Sequence, residues 1–498
     1  MNYTQKKSFC KLKSSQNQKI SINLNKNSTK QKEGSSASSS GSAVLLGNRE
    51  IRCQTSKYSN IYKKFQRKHI AQYALTVEVT EDYIKSKKSN PNSKQNRGQK
   101  NSLSFNKTLK TINKSLCSCG RDVHFMNDKK IVDIKETDTT RRLKGLKSCG
   151  NNSACSVCAS KLSAIRGNQL KELVESGRKN GRSYMMIVST IPHTPGEPLE
   201  ITLNQVIDMS KYIHEHKKVR EFKKITKCRF VHGGLENMVS FKNGLLDWHP
   251  HKNYLLDFDI TINEVIENLG LDNELELRMY VSRLFTNIGQ KYLNLHNIDK
   301  TLLVPFLQQE KKNKRIHIKG GVSASLEFDD GYIAKWGLEA EMTSSIYKDG
   351  RFDGGSMHPF NLLDLIDENN IEISKEFKYQ CVKAFQEFVV ASKGKWWFYF
   401  GRGAISYYNE NYGTELKIKK DEEELISLED EGELIYFLEH QEWLDFKPTP
   451  KKIGFALSLP TKKDVLEFIY EHIEFNRIRI AEEYNCRMST YLSKRKKE

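Results

Sequence analysis

The stretch Phe230–Phe258, FVHGGLENMVSFKNGLLDWHPHKNYLLDF, contains two strand-like runs joined by a turn. The runs, Phe230 to Val239 and Leu245 to Phe258, are rich in the apolar, β-branched and aromatic residues that favour strands. The Asn-Gly pair that ends Phe241–Gly244 is typical of a tight hairpin turn. The stretch therefore predicts an antiparallel β-hairpin.

The sequence around this hairpin alternates between helical and strand-like patterns. The run Tyr184–Thr190 is short and apolar and is followed by Ile191-Pro192, so it predicts a buried strand. Helices are predicted at 162–175, 202–218, 273–292, 371–391 and 461–488. A strand, a helix and then a hairpin predict the α+β fold class.

The returning strand carries the motif Trp248-His249-Pro250-His251. Residues i and i+2 of a strand point to the same face, so both imidazoles project together. Pro250 donates no ladder hydrogen bond, which indicates a strand edge or end. Glu236, across the hairpin, is the predicted third ligand of a Mg²⁺ or Mn²⁺ site. The alternative is a pair of surface histidines without a metal.

Five of the ten cysteines lie within residues 117–158. Cys155-x2-Cys158 places two thiolates on one turn, and two more distant ligands can complete a tetrahedral Zn²⁺ site. Four sulfur ligands leave no open position for a substrate, so the predicted zinc is structural. The predicted ligands are Cys119, Cys149, Cys155 and Cys158, with Cys117 as the substitute for Cys119. The alternative is a set of buried thiols.

The formal net charge of +20 comes almost entirely from residues 1–115. That segment holds 24 Lys and Arg against 5 Asp and Glu, a net of +19, whereas the rest of the chain holds 57 against 56. Its polar composition predicts a mostly disordered basic arm, with a local fold possible at 61–84. The arm either contacts a polyanion or only solubilises the chain, and its removal is expected to leave catalysis intact.

The N-terminal sequence Met-Asn-Tyr-Thr-Gln-Lys-Lys lacks the apolar run of a signal peptide. No stretch approaches the ~20 apolar residues of a membrane span. We therefore expect a cytoplasmic protein with no membrane partner, in which clustered cysteines bind metal rather than form disulfides.

A tyrosine and a lysine lie three residues apart in Tyr332-Ile-Ala-Lys335. If the chain is helical from about Asp330, Tyr332 and Lys335 share one face. A tyrosine can act as a nucleophile, and a neighbouring cation can stabilise the charge of a phosphate. The alternative is a buried aromatic ring beside a solvated lysine, and Tyr347 is the fallback nucleophile. A basic patch before the tyrosine is predicted to bind DNA; it consists of Lys311, Lys312, Lys314 and Arg315.

Taken in order, these motifs resemble the rolling-circle replication initiators of small plasmids, which belong to the HUH endonuclease superfamily. The resemblance rests on Cys-x2-Cys, Thr190-Ile-Pro-His193, Glu236, Trp248-His-Pro-His251 and Tyr332-Ile-Ala-Lys-Trp-Gly337. It covers roughly residues 116–410. It implies a central antiparallel sheet flanked by helices, with the two histidines on a middle strand and the tyrosine on a nearby helix.

The resemblance also implies a reaction. His249, His251 and Glu236 would hold one Mn²⁺ or Mg²⁺ on the scissile phosphate of single-stranded DNA. Tyr332 would attack that phosphate to form a 5′-phosphotyrosine and free a 3′-OH, while Lys335 would orient or charge-balance the step. The implied partners are plasmid origin DNA and a host helicase and DNA polymerase.

The chain departs from the pattern of these initiators at two positions. Many relatives carry a third histidine where this chain has Asn253, and some carry a glutamate where it has Phe328, with Glu327 and Asp329 as the nearest carboxylates. The alternatives are a transposase or mobilisation relaxase with the same site, or a non-catalytic zinc-stabilised DNA-binding protein.

These features divide the chain into four predicted segments. They are the basic arm at 1–115, a cysteine-rich zinc-binding segment at 116–165, an HUH-type nickase domain at 166–410, and a helical region of unassigned role at 411–498. Within the last segment, Asp421 to Glu439 is predicted to be a solvated, acidic helical face, and the alternative is that it masks the basic arm of the same chain.

Overall fold

The computed structural model describes residues 58–78, 102–123, 131–137, 140–242, 244–298, 356–367, 373–395, 398–416 and 432–495, and the backbone of strands at 307–309, 316–318 and 322–326. The chain divides into two units, Met1–Gly47 and Asn48–Glu498, and all of these residues belong to the second.

The described strands form two antiparallel sheets. The strands are β1 (Ile131–Glu136), β2 (Arg141–Lys144), β3 (Ser183–Thr190), β4 (Cys228–Lys242), β5 (Leu245–Phe258), β6 (Leu307–Gln309), β7 (Ile316–Ile318), β8 (Val322–Leu326), β9 (Phe398–Phe400) and β10 (Glu433–Glu439). The larger sheet has the order β6-β7-β8-β3-β5-β4-β9, and the smaller one has the order β10-β1-β2. Helices flank both sheets, so the predicted α+β class is confirmed.

The described helices follow in chain order. They are α1 (Ser59–Ala74), α2 (Ser102–Ser118), α3 (Ser156–Lys179), α4 (Leu199–Glu215), α5 (Lys217–Thr226), α6 (Ile262–Asn268), α7 (Glu274–Leu295), α8 (Asn361–Ile366), α9 (Lys375–Ser392), α10 (Ala404–Tyr412), α11 (His440–Phe446), α12 (Pro450–Ser458) and α13 (Lys462–Arg495).

The predicted hairpin is present as β4 and β5. Its turn contains Gly244 at φ 76°, a left-handed conformation that glycine adopts without a steric penalty. Strand β5 pairs with β4 on one side and with β3 on the other, so it is an inner strand of the larger sheet. Pro250, however, lies one residue beyond the last β3–β5 pair, Thr190 with His251, so at this position β5 has a partner strand on the β4 side only, as the edge prediction requires. Pro250 is paired in register with Asn237 inside the β4–β5 ladder.

The two faces of the larger sheet contribute to different apolar clusters. On one face, Met185, Ile187 and Trp248 pack in the same cluster as residues of α4, α7 and α9. On the other face, Tyr184 and Leu255 pack with residues of α3 and α10. Side chains alternate along a strand, and Trp248 of β5 packs in the first cluster. The residues on either side of Trp248 therefore point to the opposite face of the sheet.

The smaller sheet corrects the prediction for the C-terminal region. Glu433–Glu439, predicted as part of a helical face, is strand β10 and pairs with β1. Within it, Leu438 is buried and packs with Val132 and Ile134, whereas Phe437 is 47% exposed. A two-residue alternation of this kind suits a strand with one buried face, whereas a helix needs a period near 3.6 residues. Residues 421–431 lie outside the described residues.

Two helices lie within the predicted basic arm. Helix α1 packs closely on α12 at Gly454. The space beside Gly454 is occupied by Phe65 of α1, so a Cβ atom at this position would clash with the Phe65 side chain. Arg67, also on α1, is buried and makes an ion pair of 2.5 Å with Asp364. Helix α1 overlaps residues 61–84, where a local fold was expected to be possible, whereas the helix at 102–115 differs from the mostly disordered arm that was predicted. The predicted boundary at residue 115 falls inside α2. The other residues of that segment lie outside the described residues.

Candidate metal centres

Strand β5 presents three potential ligands on one face. Asp247, His249 and His251 alternate with Trp248, whose ring stacks on Phe388 of α9 at 6.4 Å between centroids. Because Trp248 is anchored in the core on the opposite face, the three polar side chains are held on the face away from α9. The predicted shared face of the two histidines follows from this strand geometry.

His193 reaches this face from the end of β3. The strand ends at Thr190, which pairs in register with His251, and the following Ile191 is buried. This positions His193 Nε2 at 3.3 Å from Asp247 Oδ1, while His249 Nε2 lies 2.9 Å from Asp247 Oδ2. The ligand atoms of His193, Asp247 and His249 lie within 4.8 Å of one another, so this group could hold a metal ion.

The environment of Asp247 fits a bound cation. Its side chain is 1% exposed, and neither carboxylate oxygen makes a hydrogen bond in good geometry. A buried carboxylate without hydrogen bonds is costly unless a positive charge compensates it. Lys242 Nζ lies 2.5 Å from Oδ2 and supplies one such charge. A metal ion bound by Asp247 and the two imidazoles would add a second positive charge to the one that Lys242 supplies.

The protonation state of His249 also fits a ligand. Burial lowers the pKa of His249 to about 4; Asp247 opposes this shift, whereas His193 and Lys242 add to it. The imidazole is therefore neutral at pH 7, and neutral imidazole is the form that coordinates metals. Two imidazole nitrogens and one carboxylate suit first-row divalent ions such as Mn²⁺.

The structure groups these residues differently from the sequence prediction. Glu236 pairs in register with His251, so the two predicted ligands are direct neighbours across the hairpin. Neither belongs to the three-residue group around Asp247. His249 is common to both sets. Asp247 and His193 were not among the predicted ligands. The sequence signal for Asp247 was the i, i+2 spacing, which places it on the same face as His249. The signal for His193 was its position directly after Ile191-Pro192.

The predicted nucleophile and the predicted basic patch both lie outside the part of the chain that the structure describes. Tyr332, Lys335 and the fallback Tyr347 lie outside the described residues. So do the four predicted DNA-binding residues, Lys311, Lys312, Lys314 and Arg315.

The second centre is the predicted cysteine group. Cys119 Sγ lies 3.8 Å from Cys155 Sγ and 3.5 Å from Cys158 Sγ, and Cys149 Sγ lies 3.6 Å from Cys158 Sγ. In a tetrahedral site with Zn–S bonds of about 2.3 Å, neighbouring sulfurs lie about 3.8 Å apart. The four cysteines could therefore bind zinc. Cys117 lies outside the group and instead contacts Asn113 Oδ1 at 3.6 Å.

Local structure preorganises this cysteine group. Cys119 directly follows α2, and Cys155 is the N-cap of α3, where its sulfur accepts a hydrogen bond from the backbone N–H of Cys158. The positive end of the α3 dipole favours thiolates at this position. Hydrogen bonds with the other cysteines, Cys149 first, lower the pKa of Cys119, whereas the hydrogen bond to Cys119 contributes most to raising that of Cys158. Metal binding must therefore release protons from the remaining thiols.

Lys68 of α1 supplies a compensating charge beside the cysteines. It is 1% exposed, and its Nζ donates to the backbone carbonyl of Cys119. Burial alone would lower the pKa of Lys68, but the negative charge of the cysteines, Cys119 first, raises it. A zinc ion with four thiolates carries a net charge of −2, so a buried ammonium group offsets part of that charge.

Comparison with known protein families, characterised proteins and solved structures finds no match for this chain. Among the helices that the structure describes, none combines the length and the apolar character needed to cross a bilayer.

Proposed function

We propose that this protein is a metal-dependent DNA nickase and strand transferase of the HUH type that initiates rolling-circle replication of a plasmid. The observation that carries the proposal is the His193–Asp247–His249 donor set, with Asp247 and His249 on strand β5 of an antiparallel sheet and His193 in the segment after β3. The order of the sequence motifs supports Tyr332 as the nucleophile and DNA as the substrate.

In the proposed reaction, the donor set holds one Mn²⁺ or Mg²⁺ next to a phosphodiester of single-stranded DNA. When bound, the ion polarises the scissile phosphate and stabilises its developing charge. Burial keeps His249 neutral for this role, and Lys242 limits the negative charge at Asp247. His251 and Glu236 lie next along the same face, where they orient the ligands or the phosphate.

Tyr332 then acts as the nucleophile. Its phenolic oxygen forms a bond to phosphorus, the bond to the 3′-oxygen breaks, and the phenolic proton passes to solvent or to that leaving oxygen. The products are a 5′-phosphotyrosine and a 3′-OH, from which a host polymerase extends as a helicase opens the duplex. Lys335 charge-balances the phosphate. In this proposal the cysteine group holds a structural zinc.

The test is covalent capture of DNA. Protein with Mn²⁺ and a supercoiled plasmid carrying its origin should yield nicked circles with protein on the 5′ end, visible as an adduct on a denaturing gel. Tyr332→Phe and His249→Ala should abolish the adduct, and chelation of Mn²⁺ should do the same. Tyr484→Phe, on an exposed part of α13, is the matched control and should retain it.

Each other outcome has a defined meaning. An adduct that persists in Tyr332→Phe but disappears in Tyr347→Phe would identify Tyr347 as the nucleophile. DNA binding without any adduct in the wild-type protein would contradict the nickase and favour a zinc-stabilised DNA-binding protein. Sequencing the captured strand would separate an origin from a transposon end or a transfer origin.

A further inference from the structure

Lys252 is a buried lysine without an acidic partner among the described residues. It follows His251 on β5, so its side chain points to the face of the larger sheet opposite the proposed metal centre. Only 7% of the residue is exposed, and its ammonium group makes no ion pair or hydrogen bond with a described residue. A buried ammonium group without a carboxylate is costly, which points to a role in binding.

The ammonium group of Lys252 contacts an aromatic ring. Its Nζ lies 4.6 Å from the centroid of the Tyr399 ring. That ring lies over Gly233 of β4, with which Tyr399 is paired, and any side chain at Gly233 would collide with it. A ring face attracts a cation but carries no formal negative charge, so Lys252 keeps its charge and its N–H donors.

Lys223 of α5 supplies a second cation. Its Nζ lies 4.2 Å from the centroid of the Phe230 ring, and it makes no ion pair with a described residue. Burial lowers its pKa. The rings of Phe230 and Tyr399 are both half-buried, so each lysine lies beside a ring that reaches the surface.

His214 of α4 lies close to both lysines. Its ring centroid lies 3.8 Å from that of Phe230 and 4.9 Å from that of Tyr254, which follows Lys252 by two residues on the same face of β5. Burial lowers the pKa of His214 to about 3, and the charges of Lys223 and Lys252 add to this shift. The imidazole is therefore neutral at pH 7 and has one N–H to donate.

The surroundings of Lys252 are basic. Burial lowers its pKa to about 8, and the positive charge of Lys211 adds to this shift. Lys211 is exposed and lies 3.7 Å from Asp208. In the described part of the chain, no carboxylate contributes to the pKa shift of Lys252 or of His214. Two ammonium groups and one neutral donor without an acid suit an anion with several oxygens.

We propose that Lys252, Lys223 and His214 bind a phosphate group on the face of the larger sheet opposite the metal centre. The ammonium groups balance the charge of the phosphate, and the imidazole donates a hydrogen bond to one of its oxygens. That the phosphate belongs to a DNA strand rests on the proposed function, since a free nucleotide carries the same group.

The test is protection of single lysines from acetylation in the full-length, zinc-loaded protein without added Mn²⁺ or Mg²⁺. A short pulse of acetic anhydride at pH 8, where a large part of Lys252 is the reactive free amine, is followed by peptide mass spectrometry. Saturating hexathymidylate should slow acetylation of Lys252 and Lys223 by about 10-fold, because only the free protein reacts. Lys224, the exposed neighbour of Lys223 on α5, is the matched control and should keep its rate.

A second ligand distinguishes the two sources of phosphate. Thymidine monophosphate that protects both lysines as well as the hexamer does would assign the site to a free nucleotide, and protection by the hexamer alone would assign it to a strand. Unchanged rates at Lys252 and Lys223 with both ligands would overturn the proposal.

The variant Lys252→Met separates binding from a structural role. It removes the charge and keeps most of the length of the side chain, so Lys223 should lose its protection. The thermal midpoint should rise, because the variant no longer buries an ammonium group without a carboxylate. Full protection of Lys223 in this variant would overturn the proposal, whatever the midpoint.

The two proposals fail separately. His249→Ala should abolish covalent capture of DNA and leave the protection of Lys252 unchanged. The phosphate site therefore stands or falls on the acetylation rates even if no nicking is found.

Discussion

At Asp247, a buried carboxylate lies between two imidazoles and one ammonium group. This position separates the ligand set in the structure from the set predicted by sequence, which used Glu236 instead. The two acidic side chains differ in burial, since Asp247 is 1% exposed and Glu236 is only half-buried. The more buried carboxylate depends more strongly on a compensating cation, because it has lost more hydration.

Two isosteric substitutions distinguish these ligand sets. Asp247→Asn should lower Mn²⁺ affinity by at least ~10-fold, because it removes the anionic ligand without changing the volume of the side chain. Glu236→Gln should have a much smaller effect. Free Mn²⁺ can be titrated by electron paramagnetic resonance at pH 7, where His249 is neutral because its pKa is about 4. The reverse order of effects would restore the predicted Glu236–His249–His251 set.

At the scale of elements, local sequence pattern predicted the hairpin closely. The predicted strand Leu245–Phe258 has the same bounds in the structure, because the Asn-Gly turn and the alternating apolar residues are local signals. The third component of the metal centre was not predictable in this way. His193 reaches Asp247 only because β3 pairs with β5, and that pairing joins residues about sixty positions apart in the chain.

Strand β10 shows the opposite case. Its sequence ELIYFLE follows an acidic tract, and charge alone suggested a solvated helix. Alternate residues of β10 are buried because β10 pairs with β1, and this pairing joins residues about three hundred positions apart in the chain. The local sequence therefore does not indicate the strand. A short apolar run of this kind does not by itself distinguish a strand from a helix.

The pairing of β10 with β1 can be tested with adjacent residues. Leu438→Ala should lower the free energy of unfolding by about 2–5 kcal/mol, because the side chain is fully buried in the cluster that contains Val132 and Ile134. Phe437→Ala removes a larger side chain that is 47% exposed and should cost much less. Denaturant unfolding monitored by circular dichroism measures both. Equal costs would contradict the assigned faces of β10.

At the scale of the whole molecule, the segment with nearly all the net charge contributes to both cores. Tyr58, Ile61 and Phe65 belong to the cluster around the smaller sheet, while Ile70 and Ala74 belong to the cluster around the larger one. The sequence indicated a possible local fold at 61–84, but the average composition of residues 1–115 did not indicate a role in both cores, because the apolar positions of α1 are few and lie among basic residues. Average composition indicates disorder only where it is uniform along the segment.

Two truncations test this role of the N-terminal segment. Removal of residues 1–115 should lower the thermal midpoint and reduce the zinc content, because it deletes Lys68 and leaves Gln386 without the carbonyl groups of Ala74 and Val77 to which its side-chain amide donates. Removal of residues 1–47, which deletes eight lysines and one glutamate but spares α1, should leave both quantities unchanged and weaken only salt-sensitive DNA binding. Differential scanning fluorimetry and metal analysis of the two proteins decide between these roles. If a 116–498 fragment keeps the zinc content, the thermal midpoint and the DNA cleavage of the full chain, residues 1–115 are a dispensable arm.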